Sequence, residues 1–181
     1  MVKGLVYYAV EKVYSSALTY ENLPANLKNH VHSVDSEYAW LLISKLYEKV
    51  NKKPLPKVEF LKSGKPVIDG GFISVSHSNG VVAICFSNAV SVGIDIELKR
   101  EDYPLKVKDF LVGVTDSDSF YSTWTKREAV IKSKNLSALK KGVETEFVGL
   151  TKDVTVNEKA FSLSIYGENA EFYLISGSIV K

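Results

Sequence analysis

The chain has 181 residues, and its 23 lysines and arginines against 21 aspartates and glutamates leave a formal net charge of +2. So small a basic excess excludes a dedicated nucleic-acid-binding protein, for which a strongly basic surface is the usual sign. The hydrophobic content of 45% and the charged content of 24% are ordinary for a globular protein and exclude low-complexity and collagen-like chains. This length fits one domain, or two small halves packed together.

A single cysteine, Cys85, excludes an internal disulfide and any zinc site built from a cluster of cysteines. No apolar run approaches the roughly 20 residues that a membrane-spanning helix needs. The short apolar run near the start of the chain ends at Glu11 and Lys12, which favours a first strand over a signal peptide. We therefore expect a cytoplasmic protein with no membrane association.

The first half of the chain predicts a strand, a helix and a connection. Residues 5–10 have the composition of a strand, and apolar side chains recur at helical spacing through residues 35–50. Asp35 or Ser36 is the expected N-cap of that helix. The two prolines of residues 52–56 predict a connection, because proline interrupts helices and central strands.

Three strand-like runs then follow closely, at residues 72–76, 81–86 and 92–97. The first two are separated by Asn79-Gly80, a strong signal for a tight hairpin. We predict that the three runs form an antiparallel meander.

The second half predicts a long helix at residues 119–134, followed by strands that include residues 161–165 and 171–175. Strands and helices in this order favour an α+β fold over alternating βαβ units. Residues 72–87 and 161–176 can be laid over each other without a gap as two hairpins.

This internal similarity favours two related α+β halves, residues 1–100 and residues 101–181, with antiparallel sheets packed against helices. Two halves within one chain also favour a monomer.

Asp95 and Glu97 lie on one face of the predicted strand at residues 92–97, because side chains alternate across a strand. Two carboxylates so close together repel each other, and a cation between them relieves this repulsion. Ligands that are all oxygen favour a hard ion such as Mg²⁺. The alternative is a half-exposed strand whose polar face meets water.

In the predicted helix at residues 119–134, Glu128 falls on or beside the apolar stripe, four residues after Trp124. One interpretation is a solvated pair between Glu128 and Lys132, four residues further on. The other is that Glu128 points inward to a third charge and Lys132 to an anion, because a carboxylate beside a tryptophan needs a partner.

Ser76 and His77 lie where one predicted strand ends and the next begins. His77 is either a structural hydrogen-bonding residue or, with the neighbouring hydroxyls and backbone N–H groups, part of a phosphate site. A serine hydrolase is a poor fit, because the chain has no nucleophile elbow of the Gly-x-Ser-x-Gly kind. Lys65, between Gly64 and Pro66, carries one cation on a turn.

Four segments, Gly64–Pro66, Ile73–Ser78, Val92–Glu97 and Trp124–Lys132, follow one another in a specific order. Their order and spacing resemble the 4′-phosphopantetheinyl transferase superfamily. The Gly-Ile-Asp segment lies mid-chain here, whereas the shorter acyl-carrier-protein synthase branch carries it near the N-terminus. The match is therefore to the two-half, Sfp-type branch, and it covers about residues 64–132.

The resemblance implies a fold of two α+β halves related by a pseudo-twofold axis, with coenzyme A in the cleft between them. It implies transfer of the phosphopantetheine arm of coenzyme A to a serine of an acyl or peptidyl carrier protein, which releases adenosine 3′,5′-bisphosphate. By position, it also implies a Mg²⁺ site made by Asp95, Glu97 and Glu128. The contacts to coenzyme A that it implies come from Lys65, Ser76, His77, Arg127 and Lys132.

Catalysis on a diphosphate ester is mostly positioning and charge neutralisation. Under this resemblance, Lys132 and His77 offset charge on the phosphates, and Glu128 takes the proton from the attacking serine. The serine belongs to the carrier, which explains why the chain shows no nucleophile of its own.

Two departures from the family pattern concern cations. Arg127 stands where the family usually has a lysine before the helix glutamate. The helix at residues 35–50 lacks the arginine that often helps to hold the 3′-phosphate, and Lys28 and Lys45 are its candidate substitutes. Two other functions therefore stay open: a magnesium-dependent phosphoesterase, and a non-catalytic protein that binds coenzyme A or a nucleotide.

Overall fold

The structure is a computed structural model that describes residues 3–14, 23, 25–108, 110–137 and 140–176. Within these residues the elements are β1 (Gly4–Lys12), α1 (Ala25–Lys28), α2 (Val34–Asn51), β2 (Glu59–Phe60), β3 (Pro66–Val67), β4 (Phe72–Ser78), β5 (Val81–Ser87), β6 (Gly93–Leu98), α3 (Leu105–Lys108), α4 (Ser117–Lys134), a 3₁₀ turn (Val143–Glu146), β7 (Gly149–Val156), β8 (Lys159–Tyr166) and β9 (Ala170–Leu174).

The larger strands form two sheets. The first has the order β4-β5-β1-β9, in which β9 runs parallel to β1 and the other neighbours are antiparallel. The second has the order β6-β8-β7 and is antiparallel throughout. The predicted mixed α+β class is confirmed.

The hydrophobic core has layers that alternate with the sheets. One face of the first sheet packs against α2 through residues such as Ile84 and Leu42. Its other face packs against the second sheet, where Ala83 and Cys85 meet Ile96. Helix α4 lies on β6 and β8 of the second sheet. The two long helices therefore cover the outer faces of two sheets that pack together.

Both predicted long helices are present, and each begins with a capping box. Ser33 is the N-cap of α2, and its hydroxyl accepts from the Ser36 N–H while the Ser36 hydroxyl accepts from the Ser33 N–H. The expected cap at Asp35 or Ser36 is therefore wrong by two or three residues. Asp116 and Ser119 make the same reciprocal arrangement at the start of α4.

The predicted meander is correct for its first two strands and wrong for the third. β4 and β5 form an antiparallel hairpin at Asn79 and Gly80, whose φ values are both positive. β6 does not continue this sheet, because the free edge of β5 is taken by β1. β6 pairs with β8 instead.

The predicted hairpin at residues 161–176 is also wrong, because β8 and β9 lie in different sheets. The hairpin partner of β8 is β7, joined to it through Asn157 and Glu158. The two sheets also do not divide the chain at residue 100. β6, which precedes this residue, belongs to the second sheet, and β9, which follows it, belongs to the first. The division into two related halves stays a prediction.

Three serine hydroxyls join the edges of the two sheets. The hydroxyls of Ser74, Ser76 and Ser78 on β4 accept from the N–H groups of Ile94, Ile96 and Leu98 on β6, at 3.1, 3.4 and 3.1 Å. The offset of 20 residues is constant, so the two strands run in the same direction. The serine side chains therefore accept the hydrogen bonds of N–H groups at the outer edge of β6, which a neighbouring strand would accept in a continuous sheet.

In the part of the chain that the structure describes, no helix is long and apolar enough to cross a membrane.

Removing one of these hydroxyls should destabilise the fold. Ser74→Ala leaves the buried N–H of Ile94 without its acceptor, and we expect the free energy of unfolding to fall by about 1–3 kcal/mol. Ser44→Ala is the matched control, because among the described residues the Ser44 hydroxyl bonds only to the Trp40 carbonyl of its own helix. Urea denaturation of both variants measures the difference, and equal stability of the two would contradict the role given to Ser74.

Candidate functional site

The joined edges of β4 and β6 place the predicted strand carboxylates. Besides accepting from the backbone of β6, the Ser76 hydroxyl donates to Asp95 Oδ1 at 2.8 Å. The Ser78 hydroxyl donates to Glu97 Oε2 at 3.0 Å. The predicted orientation of the two carboxylates is confirmed by this pattern: alternate serines of one strand contact alternate acids of the next.

Helix α4 approaches β6 closely because Gly93 has no side chain. A Cβ atom there would lie 2.0 Å from the Ala129 carbonyl oxygen, which is a backbone atom of α4. The Thr125 hydroxyl also lies 3.1 Å from that of Ser162 and 2.9 Å from that of Ser164 on β8. These contacts fix both the distance and the rotation of α4 on the second sheet.

The face of α4 fixed in this way carries Glu128 and Lys132. The Lys132 ammonium donates to Asp95 Oδ1 at 2.6 Å and to the Ile94 carbonyl at 3.1 Å. The Asp95 side chain is only 4% exposed and that of Lys132 is 31% exposed. The helix cation is therefore the direct partner of the strand acid, and the predicted solvated pair between Glu128 and Lys132 is not among the ion pairs of the described residues.

The negative charge of Asp95 affects the pKa of both Glu97 and Glu128. Burial is the largest cause that raises the pKa of each carboxyl above its usual value, and the negative charge of Asp95 raises both further. The Lys132 ammonium opposes the rise in both cases. Three carboxylates from two distant parts of the chain therefore share one local field.

The donor chemistry of this group fits a divalent cation. Asp95 Oδ2 is buried and accepts no hydrogen bond from the described residues, so one carboxylate oxygen is left for a further ligand. Carboxylate oxygens are the donors that Mg²⁺ prefers. In the described parts of the chain, however, no three acidic, histidine or cysteine side chains are gathered closely enough to hold a metal ion as they stand.

These side chains line a cavity of about 670 Å³ between the two long helices. It brings together six of the eight predicted site residues: Ser76, His77, Asp95, Glu97, Glu128 and Lys132. His77 Nδ1 also lies 3.8 Å from Asp35 Oδ2 at the start of α2. We call this space the first cavity.

Lys65 lies in a neighbouring cavity of about 270 Å³, which shares Trp40, Phe60 and Lys132 with the first cavity. Its ammonium donates to the Ser133 carbonyl near the end of α4. Burial lowers its pKa. The structure thus places Lys65 as a bridge to α4, beside the first cavity and not among its lining residues.

Arg127 is the predicted contact that the structure places elsewhere. Its side chain is 2% exposed and donates to the Lys140 carbonyl at 2.6 Å, on the side of α4 away from the first cavity. The contact of Arg127 with coenzyme A stays a prediction, and the side chain is not among those that line the first cavity. Glu128 lines the first cavity, whereas the neighbouring Arg127 is buried against Lys140 and Glu144.

Sequence reasoning missed His30, His32 and Lys62, which all line the first cavity. The His30 ring stacks on Phe60, with the ring centroids 3.6 Å apart. The two histidines follow α1 in an irregular segment, so no periodic pattern indicated where they face. Lys28 and Lys45, the candidate substitutes for the missing arginine, do not line this cavity.

The described residues that line the first cavity are His30, His32, Ser36, Ala39, Trp40, Phe60, Leu61, Lys62, Gly64, Val75, Ser76, His77, Asp95, Glu97, Trp124, Glu128 and Lys132.

A further cavity of about 460 Å³ lies on the other side of Glu97 and Trp124, which line both spaces. Its walls include Tyr103 and Phe120, whose rings stack with centroids 4.7 Å apart. The segment that follows β6 supplies one side of it. We call this space the second cavity.

The chain is similar to two curated proteins, both called 4′-phosphopantetheinyl transferase AcpT, from Salmonella typhi and from Salmonella typhimurium strain LT2. Each is 27% identical over an alignment of 101 positions that covers 47% of this chain and 53% of the relative. The chain thus spans about half the length of the curated relatives it matches. No family model matches the chain. This distant similarity supports the resemblance to the phosphopantetheinyl transferase superfamily.

Removing one partner of the pair between Asp95 and Lys132 should destabilise the fold strongly. Lys132→Met leaves a buried carboxylate without its cation, and we expect the free energy of unfolding to fall by about 3 kcal/mol. Adding Asp95→Asn removes the unpaired charge and should restore part of that loss. Thermal unfolding of the wild type, both single variants and the double variant measures the coupling, and strictly additive losses would contradict it.

The raised pKa of Glu97 predicts a pH-dependent effect on stability. A folded pKa above the usual value of 4.5 means that the folded state binds the Glu97 proton more tightly than the unfolded state does. Ionised Glu97 therefore lowers the free energy of unfolding at neutral pH, and protonation removes this penalty as the pH falls. In buffer with a chelator, Glu97→Gln should therefore be more stable than the wild type at neutral pH, and the difference should shrink on acidification. Thermal unfolding across this pH range measures it.

Glu146 provides a control of opposite sign. Hydrogen bonds from Lys140 and Lys134 lower its pKa, so its ionised form stabilises the fold at neutral pH and this contribution is lost as the pH falls. Glu146→Gln should be less stable than the wild type at neutral pH, with the difference again shrinking on acidification. Pronounced shifts of the same sign in both variants would contradict the environments given to Glu97 and Glu146.

Proposed function

We propose that this chain is a 4′-phosphopantetheinyl transferase of the two-half, Sfp-type branch, which moves the phosphopantetheine arm of coenzyme A to a serine of an apo carrier protein. The observation that carries the proposal is the first cavity, where Asp95, Glu97, Glu128 and Lys132 converge from one strand and one helix. The distant similarity to the two Salmonella transferases supports the same reaction.

In this proposal, Asp95, Glu97 and Glu128 hold Mg²⁺. Burial holds the two glutamates beside the charge of Asp95, and Asp95 Oδ2 has no other partner among the described residues, so a cation would relieve repulsion at all three. When bound, the ion supplies neutralisation of the diphosphate charge and polarisation of its oxygens.

Lys132 supplies the cation nearest to the transferring phosphate. Its ammonium is held in place by Asp95 and by the Ile94 carbonyl, yet its side chain remains partly exposed to the first cavity. A cation fixed in this way stabilises charge that develops on the phosphate without having to be reoriented. His77, at the same wall, offers a second donor to the phosphates.

Glu128 acts as the general base. Its carboxylate lines the first cavity close to Lys132, where it can accept a proton from a serine hydroxyl. It takes the proton of the carrier serine, directly or through water, as the serine oxygen forms a bond to the phosphorus that bears the pantetheine arm. The bond from that phosphorus to the bridging oxygen breaks, and adenosine 3′,5′-bisphosphate leaves.

The two cavities give the donor and the acceptor separate approaches. We assign coenzyme A to the first cavity, which holds the carboxylates and three additional nitrogen-bearing side chains at His30, His32 and Lys62. The carrier serine enters from the second cavity. Glu97 and Trp124 line both, so the two substrates would meet at this shared wall.

The decisive variant is Glu128→Gln, which should fold normally and lose at least about a hundredfold in transfer rate, because it lacks the proton acceptor. Glu48→Gln, the same change at an exposed glutamate of α2, should behave like the wild type. Mass spectrometry of apo carriers incubated with the chain, coenzyme A and Mg²⁺ measures addition of the arm to one serine.

Three outcomes contradict the proposal in different ways. Full activity of Glu128→Gln removes that residue from the mechanism. Hydrolysis of coenzyme A without a carrier makes the chain a magnesium-dependent phosphoesterase. Tight binding of coenzyme A without turnover on acyl and peptidyl carriers makes it a non-catalytic binding protein.

A further inference from the structure

The guanidinium of Arg127 makes a buried charged contact outside the first cavity. Its NH1 atom lies 2.6 Å from the Lys140 carbonyl oxygen and 3.7 Å from Glu144 Oε2. The exposed fractions of the Arg127 and Glu144 side chains are 2% and 4%. The pair lies beside an apolar cluster that includes Val130 and Val143, so both charges are removed from water.

The carboxylate of Glu144 also contacts a second part of the chain, the segment that follows β6. Its Oε1 atom accepts from the backbone N–H of Val112 at 2.9 Å, although the Val112 side chain itself is largely exposed. The carboxylate therefore joins Arg127 on α4 to the end of the segment that follows β6. We give the name connecting loop to residues 99–108 and 110–112, which include the short helix α3.

The connecting loop forms one wall of the second cavity through Arg100, Tyr103 and Val107. Helix α4 holds it at two points. The Tyr121 hydroxyl donates to the Asp102 carbonyl at 3.1 Å near the start of the loop, and Arg127 reaches its end through Glu144. The helix that carries Glu128 into the first cavity thus also fixes the wall of the second.

A buried ion pair contributes little net stability, because the desolvation of two charges offsets most of their attraction. An apolar pair of similar volume is often as stable. What the two side chains provide here is direction. Arg127 NH1 donates to the Lys140 carbonyl and lies near Glu144 Oε2, which accepts no hydrogen bond from the described residues, while Glu144 Oε1 accepts from a loop N–H. Such geometry specifies one rotation of α4 and one position of the loop.

We propose that Arg127 and Glu144 are a positioning pair, which holds the connecting loop and the rotation of α4 in one register so that the wall of the second cavity and Glu128 are fixed together. Neither residue contacts the substrates. The kinetic part of this inference rests on the proposed function, whereas the structural part does not.

The test compares three variants with the wild type. The double variant Arg127→Met with Glu144→Leu removes both charges and should retain most of the stability. We expect its kcat to fall about tenfold to a hundredfold and its KM for the carrier to rise, because Glu128 and the loop lose their fixed relation. Its affinity for coenzyme A, measured by calorimetry without carrier, should stay close to that of the wild type.

The single variants separate charge from direction. Arg127→Lys keeps the positive charge but replaces the fork by a single point donor, so we expect a smaller loss of kcat than in the double variant. Glu144→Gln keeps an acceptor for the Val112 N–H, and we expect the loop to hold while kcat declines. A loss that followed stability alone, equal in kcat and in coenzyme A affinity, would show a merely structural pair and overturn the proposal.

Amide hydrogen exchange at residues 110–113 tests the structural part without any activity. Exchange should accelerate in the double variant and stay slow in Glu144→Gln. If the double variant does not fold, Arg127→Lys decides: wild-type kcat together with wild-type exchange in that variant overturns the proposal. If the wild type itself modifies no carrier, the proposed function fails, and the exchange rates still test the pair.

Discussion

The whole site depends on the way in which two sheet edges meet without forming one sheet. β4 and β6 lie side by side, yet their backbones are not joined by the ladder of hydrogen bonds that neighbouring strands normally share. Serine hydroxyls fill the gap, accepting from the N–H groups of β6 and donating to its acids. A hydroxyl can do both because it carries a donor and two acceptor lone pairs.

This junction explains why charged groups can be buried so near the core. Asp95 has a hydroxyl and an ammonium at its Oδ1 atom, and Glu97 has a hydroxyl at Oε2. Buried charges persist in proteins when they are paired and hydrogen-bonded in this way. The second sheet adds its own polar layer under α4, where Thr125, Ser162 and Ser164 share hydrogen bonds. Small hydroxyls thus hold both acids from the β4 side, and Lys132 also contacts Asp95, while the carboxylates line the first cavity.

Features that depend on local spacing could be predicted from the sequence. The two long helices follow from apolar periodicity, and the hairpin at Asn79-Gly80 follows from the positive φ that such a turn requires. That Asp95 and Glu97 share a face follows from the period of a strand. The convergence of Glu128 with them came from the order of motifs, since spacing alone left its direction open.

Features that depend on distant partners could not be predicted. The edge beside β5 is occupied by β1, and only that competition sends β6 to another sheet. A charged residue of α4 can be buried only where another part of the chain supplies a partner. Arg127 is buried beside Glu144, and the spacing within α4 does not indicate that partner. His30 and His32 reach the first cavity through the path of an irregular segment, which has no periodic signal.

The ion pair of Lys132 with Asp95 has a consequence for how ligands arrive. The three carboxylates of the first cavity outnumber its two ammonium groups, those of Lys62 and Lys132, so the carboxylates favour the entry of a divalent ion before that of a bare polyanion. Under the proposed function, each ligand would improve the binding of the other, and thermodynamic linkage makes such an enhancement equal in both directions. Under the proposed function, a diphosphate donor would bind in this cavity as its metal complex, with Lys132 kept in place by Asp95.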